Sequence, residues 1–318
     1  MRSLLAVFGV LVLLAWGISR GQEPFPPEFV QPEVAPAEPI EAPGVTRDVA
    51  VYEGLGTWVD IFDIDAGRAG GTPPVTPDAL PDMAGVGVRT LYLQAADESM
   101  DEPGVFQPDL TGEFLVKAHA AGVRVVGWFV PRHGDVERDL AFLRAVAEFE
   151  YEGHRFDGVA LDIEWTQTEP DPAARSAATV ELAAQASEFL GDEALGAIVL
   201  EPLLVEDVNP NLWPDYPYAD LAGSVDVFLP MSYWTNRTAS SGLRDGFVYT
   251  AGNVEGLRAH VGEGVSIHVI GGVGDATTPD DLQGFATAAF EQKAVGLSLY
   301  DWNTTLSSAW DTLRGPAS

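Results

Sequence analysis

The stretch "FDGVALDIEW" (156–165) is apolar until two acids, Asp162 and Glu164, interrupt it near its end. One residue separates them, so on an extended strand both carboxyls point to one face, together with Ala160. Val159, Leu161, Ile163 and Trp165 take the other face. Two like charges at that spacing, roughly 6.5–7 Å apart along a strand, push one of the two pKa values upward. In a closed interior an unpaired charge is costly unless it is hydrogen-bonded or protonated. Such a pair is therefore better suited to proton transfer than to packing.

The elements that must position the pair are read from the rest of the chain. Eight strand patterns recur, at 56–63, 88–95, 123–130, 157–165, 195–202, 225–233, 265–272 and 295–302. Helical patterns lie between them, clearest at 109–122, 135–152, 171–191 and 278–293 and faint after strands one, five and six. Thr278 is placed as an N-cap followed by Pro279, and Gly122 and Gly191 sit where helix C-terminal glycines belong. The strands are nearly continuous apolar runs, as expected of strands buried on both faces. This alternation over 49–318 predicts a (β/α)8 (TIM) barrel. No glycine-rich phosphate or dinucleotide turn follows the first strand, so an open doubly wound sheet is disfavoured and no cofactor is expected.

In such a barrel the chemistry lies at the C-terminal ends of the strands. Those ends carry Asp63 and Asp65 (strand one), Gln94 with Asp97 (two), Trp128 with Arg132 and His133 (three), and Asp162, Glu164 and Trp165 (four). Glu201 follows on strand five, Met231, Tyr233 and Trp234 on six, and Tyr300, Asp301 and Trp302 on eight. Acids beside flat rings suit carbohydrate, since sugar rings stack on aromatic faces and glycosidic bonds are cleaved by carboxyl groups. Asp97 and Asp135 read as helix N-caps, Asp63 and Asp65 as solvated loop acids, and His268 as a core histidine.

The motif in strand four resembles the signature of the chitinase-like glycoside hydrolases of family 18, D-G-x-D-x-D-x-E. Asp157 and Gly158 match its first two positions, Asp162 its last Asp and Glu164 its Glu, while Ala160 replaces the middle Asp. "PMSYW" resembles the family's Met-x-Tyr-Asp through Met231 and Tyr233, with Trp234 in place of the acid, and Trp302 is the candidate for the strand-eight Trp. The resemblance implies that Glu164 is the general acid and that Asp162 orients an N-acetyl group whose oxygen attacks the anomeric carbon. It also implies that Tyr233 hydrogen-bonds that acetamide. Trp128, Trp165, Met231, Trp234, Glu201, Gln94, Asp301 and Trp302 complete the expected substrate-binding set. Two alternatives stay open: a catalytically silent barrel that binds glycan through its tryptophans, and a metal-dependent hydrolase using acids of strands one, two and four. A two-carboxylate glycosidase pairing Glu164 with Glu201 or Asp301 also remains open.

Composition narrows the partners. With 17 Lys+Arg against 48 Asp+Glu, a net charge of −31 and no cysteine, nucleic acid and anionic membrane surfaces are disfavoured, and disulfides and thiolate metal sites are excluded. Residues 1–21 carry Arg2 and an apolar run from Leu4 to Trp16, which reads as a signal peptide or an N-terminal membrane anchor. Residues 22–48 form a Pro/Glu-rich linker. The expectation is an exported protein acting at or beyond the cell surface on a carbohydrate polymer or oligosaccharide.

Overall fold

The computed structural model describes residues 47–314 apart from Glu98, so the expected leader and most of the linker lie outside the described residues. The barrel strands are β1 (Gly54–Val59), β2 (Thr90–Ala96), β3 (Arg124–Phe129), β4 (Gly158–Ile163), β5 (Leu195–Val199), β6 (Val227–Pro230), β7 (Ser266–Val273) and β8 (Gly296–Tyr300). All pair in parallel with their sequence neighbours, and β8 pairs with β1 to close the ring. Helices follow the strands in turn: α1 (Leu80–Gly85), α2 (Pro108–Ala120), α3 (Val136–Ala147), α4 (Pro172–Leu190), α5 (Tyr218–Leu221), α6 (Gly246–Val261), α7 (Pro279–Glu291) and α8 (Ala309–Leu313). This is the (β/α)8 barrel that the alternating pattern predicts. Among the described residues no helix is long and apolar enough to cross a membrane.

Side-chain caps start the outer helices. Asp135, Asp171, Asp245 and Thr278 each accept a backbone N–H of the first turn that follows them; such a cap contributes about 1 kcal/mol. The largest departure from the sequence reading is at β1, which stops at Val59 rather than running to 63. Asp60 takes the N–H groups of Phe62 (2.7 Å) and Asp63 (3.0 Å) on one carboxylate oxygen, and this turns the chain into a single helical turn, Ile61–Ile64. The expected helix over 135–152 ends at Ala147, and a two-stranded hairpin follows, Glu150–Tyr151 against His154–Arg155. After strand six, where the pattern is faint, α6 runs for 16 residues.

The foot of the barrel is closed by Tyr52, which precedes β1. Its hydroxyl donates to the Val159 carbonyl (2.6 Å) at the start of β4, and its own carbonyl lies 2.7 Å from His268 Nδ1 on β7. His268 is a core residue: Nε2 meets Ser298 Oγ at 3.0 Å, and burial lowers its pKa to about 4. Trp58 stacks on Tyr92 at 4.3 Å in the same interior. Rings of this size require glycine on adjacent strands. A Cβ at Gly56 would lie 2.7 Å from Tyr92, and one at Gly296 2.2 Å from His268. Arg47, in the last residues assigned to the linker, is docked on Gly191, Ser187 and Asp226, so the folded unit begins by residue 47.

Candidate active site

An open cleft occupies the C-terminal mouth of the barrel. Asp162 and Glu164 both line it, although they reach it differently from the extended geometry expected. Asp162 is a strand residue and buried, while Glu164 lies one residue past the end of β4, in the turn, and is half-buried. The turn is braced from behind. Tyr216 donates its hydroxyl to the carbonyl of Ile163 (2.8 Å), the residue between the two acids, and packs against Trp213 and Tyr218. Trp165 lines the cleft beside them and fixes its indole N–H on Thr168 Oγ1 at 2.9 Å.

Tyr233, from the β6 end, also faces the cleft. Burial, then the charges of Glu164 and Asp162, raise its phenol well above the ordinary range, so it stays protonated as a hydrogen-bond donor. Its ring lies 6.1 Å from that of Tyr300, which also lines the cleft. Gln94, Trp128 and Met231 line it as well. Gln94 is anchored by accepting the Ile61 N–H at 3.1 Å.

The opposite part of the mouth, formed by β1 and β8, holds a second group of acids. Asp60 faces the cleft, and Tyr300 donates its hydroxyl to it. Behind Asp60 stand Asp63 and Asp301, both buried, with one carboxylate oxygen from each of the three within 4.8 Å of the others. Burial raises all three carboxyls above the usual range, and for Asp63 and Asp301 the charge of Asp60 adds to it. None of the three makes an ion pair among the described residues. By oxygen chemistry and proximity this is where a hard cation would fit, rather than among acids of strands one, two and four. Asp97 of strand two is paired with Arg68 (3.0 Å) and caps no helix, contrary to expectation.

Solved structures share this architecture at low sequence identity. A spore cortex-lytic enzyme, SleL, from Bacillus cereus superposes with a TM-score of 0.61 at 9% identity, covering 82% of this chain and 73% of that one. A GH18 chitinase from Cycas revoluta, in complex with (GlcNAc)3, gives 0.60 at 13% identity, covering 82% and 98%. An endo-1,4-beta-D-mannanase from Thermotoga petrophila gives 0.57 at 12%, covering 78% and 88%. No protein-family model matches the chain, and no curated protein matches its sequence. These likenesses show a shared (β/α)8 barrel fold.

Four residues expected at the substrate are absent from the cleft lining. Trp234 is fully buried against Phe285, at 5.2 Å between ring centroids, because the chain coils into a tight turn directly after Tyr233. Glu201 is buried beyond the end of β5, where it accepts the Tyr249 hydroxyl (2.8 Å) and burial lifts it to about 7 against the opposing charge of Arg237. Trp302 packs on Trp310 outside the mouth, and Asp301 sits behind Asp60 with its carboxylate on the Thr304 N–H (2.8 Å). The aromatic that β8 gives to the cleft is Tyr300, since the strand ends there and the next residues turn away.

Sequence reasoning passed over Asp60, Trp58 and Arg68, all in the cleft wall. The spacing of Asp60 and Asp63 carried a usable signal, because an acid followed three residues later by another matches a capping box. Trp58 and Asp60 also alternate correctly to share the inward face of β1.

Proposed function

We propose that this protein is a glycoside hydrolase acting on a polysaccharide or cell-wall glycan. In this reading Glu164 is the general acid, Asp162 the assisting carboxylate and Tyr233 a donor to the substrate. The observation that carries the reading is that Asp162 and Glu164 open into one aromatic-walled cleft at the barrel mouth, with the Tyr233 phenol held neutral beside them. Glu164 is solvent-accessible there, as an acid that must protonate a leaving oxygen has to be. Similarity of fold to enzymes described as chitinase, mannanase and cortex-lytic enzyme supports the substrate class. The leader-like residues 1–21 fit an enzyme working on a glycan outside the cytoplasm. Substitution Glu164→Gln is expected to lower turnover of a cleaved polymer by about 10²–10⁴-fold while sugar binding and the melting temperature persist. Unchanged release of reducing ends would reject the assignment.

One observation favours a second reading, a glycan-binding barrel without turnover. Ala160, where the family pattern has its middle Asp, is buried, and its Cβ lies 3.1 Å from the place a Cβ on Gly196 would take. Tyr52 crowds the same layer, and position 160 of β4 carries a methyl group where the family pattern has a carboxyl. Binding of glycan with no cleavage of any polymer by the unmodified protein would select this reading.

A further inference from the structure

The proposed hydrolytic roles leave one cleft carboxyl unused. Asp60 is buried to 5% exposure yet lines the cavity, and it accepts three donors: the N–H groups of Phe62 and Asp63 and the Tyr300 hydroxyl. Donors aimed at a carboxyl favour its anionic form. Burial works the other way and outweighs both these donors and the charge of Arg68, so a further cation in the cleft would favour the anion. Arg68 is the one basic residue in the lining among the described residues, and it is engaged by Asp97 at 3.0 Å. Asp63 and Asp301 stand behind it with pKa values raised to about 9 and about 7, so around pH 6 they are largely protonated and Asp60 is the carboxyl of the three that faces the cleft. The rings that flank Asp60, Trp58 and Tyr300, are themselves favourable neighbours for a cation.

We propose that Asp60 makes this cleft a reader of amino sugars carrying a free, protonated amine, so that the preferred glycan is at least partly de-N-acetylated. The inference rests on the glycan reading of the same site and specifies its substrate. The ammonium sits against the cleft-facing edge of Asp60, between Trp58 and Tyr300, and adds to the single basic residue, Arg68, that the cleft lining holds. A net charge of −31 draws a polycationic glycan toward the protein and repels an acidic one. Attraction of this kind weakens as salt rises.

Calorimetric binding to the full chain carrying Glu164→Gln tests this without any contribution from turnover. The probes are a glucosamine hexamer and its fully N-acetylated counterpart, at pH 6, in low and high sodium chloride. The glucosamine hexamer is expected to bind at least about tenfold more tightly at low salt, which corresponds to 1.4 kcal/mol. That margin should shrink at high salt, and adding Asp60→Asn should remove it while leaving the acetylated hexamer unaffected. Because Asp60 also starts a helical turn, the salt dependence measured with Asp60 intact stands as a second readout should the double variant fold poorly. Equal affinity for the two hexamers, or equal weakening of both by Asp60→Asn, overturns the proposal. So does a Ca²⁺ titration that raises the melting temperature through Asp60 when the glucosamine hexamer does not bind. Amine-selective binding together with a wild-type protein that cleaves neither hexamer would sink hydrolysis alone and leave this inference standing.

Discussion

The two ends of the barrel treat their acids in opposite ways. At the foot, Asp157 accepts the Val125 N–H (2.7 Å) and meets His119 Nε2 at 2.9 Å. Asp226 accepts the Leu195 N–H (2.8 Å) and pairs with Arg47 at 3.1 Å. Each stands just ahead of one strand and ties down the start of its neighbour, which is a structural duty. At the mouth, Asp60, Asp63 and Asp301 crowd together with no ion pair among the described residues, and Asp162 and Glu164 share a cleft. On the proposed reading, placement at the C-terminal rim separates acids kept for chemistry from acids kept for stability. The first Asp of the "DGVALDIEW" run thus belongs to the foot and the last two acids to the mouth, within eight residues.

The contrast can be broken most sharply at Asp162. Asp162→Asn is expected to reduce turnover of a cleaved glycan by at least about 100-fold, with the melting temperature largely retained. A lowered melting temperature with full activity would move Asp162 into the structural group. The mirror experiment is Asp226→Ala, which strands the Leu195 N–H and takes from Arg47 its charged partner, leaving it on Gly191 and Ser187. It should cost about 1–3 kcal/mol, seen as a lower denaturation midpoint with kcat unchanged. Loss of activity at unaltered stability would erase the distinction.

A subtler effect sharpens the comparison through pH. The mouth acids have pKa values raised by burial, so the folded protein binds protons more tightly than the unfolded chain there. Their contribution to stability is complete below the ordinary carboxylate range and is lost as pH rises through the raised values. Melting temperature should therefore fall between pH 5 and 8, with a slope of up to about 1.4 kcal/mol per pH unit for each full proton. Asp63→Asn should flatten that slope, and an unaltered slope would assign it to other groups. The smallest effect belongs to the exposed surface pair Lys117–Asp78. Lys117→Gln should change stability by less than about 0.5 kcal/mol in chemical denaturation.

Much of the architecture was legible because the barrel writes itself in local patterns. Buried parallel strands are apolar throughout, and caps such as Thr278 mark helix starts. Where the reading failed, a side chain had overruled periodicity. Asp60 bends the chain out of β1, and no alternation pattern records which acid will turn back onto its own backbone. The roles expected of Trp234 and Trp302 rested on strand ends three and two residues too long, respectively. Once β6 stops at Pro230 and β8 at Tyr300, those rings fall into packing and Tyr300 takes the exposed place. Glu201 was misplaced for the same reason, since β5 ends at Val199. The clustering of Asp60 with Asp63 and Asp301 joins the first strand to the last across some 240 residues, a proximity that only barrel closure creates.

The tyrosine that stoppers the foot has a bearing on assembly. Tyr52 is translated ahead of every strand, yet its hydroxyl and carbonyl meet groups on β4 and β7. A nascent chain that has released only its first half offers this side chain half its seat, and contacts of such long separation form late and slowly. Split halves of the gene, expressed together, should recover a soluble barrel far less readily than the intact reading frame does.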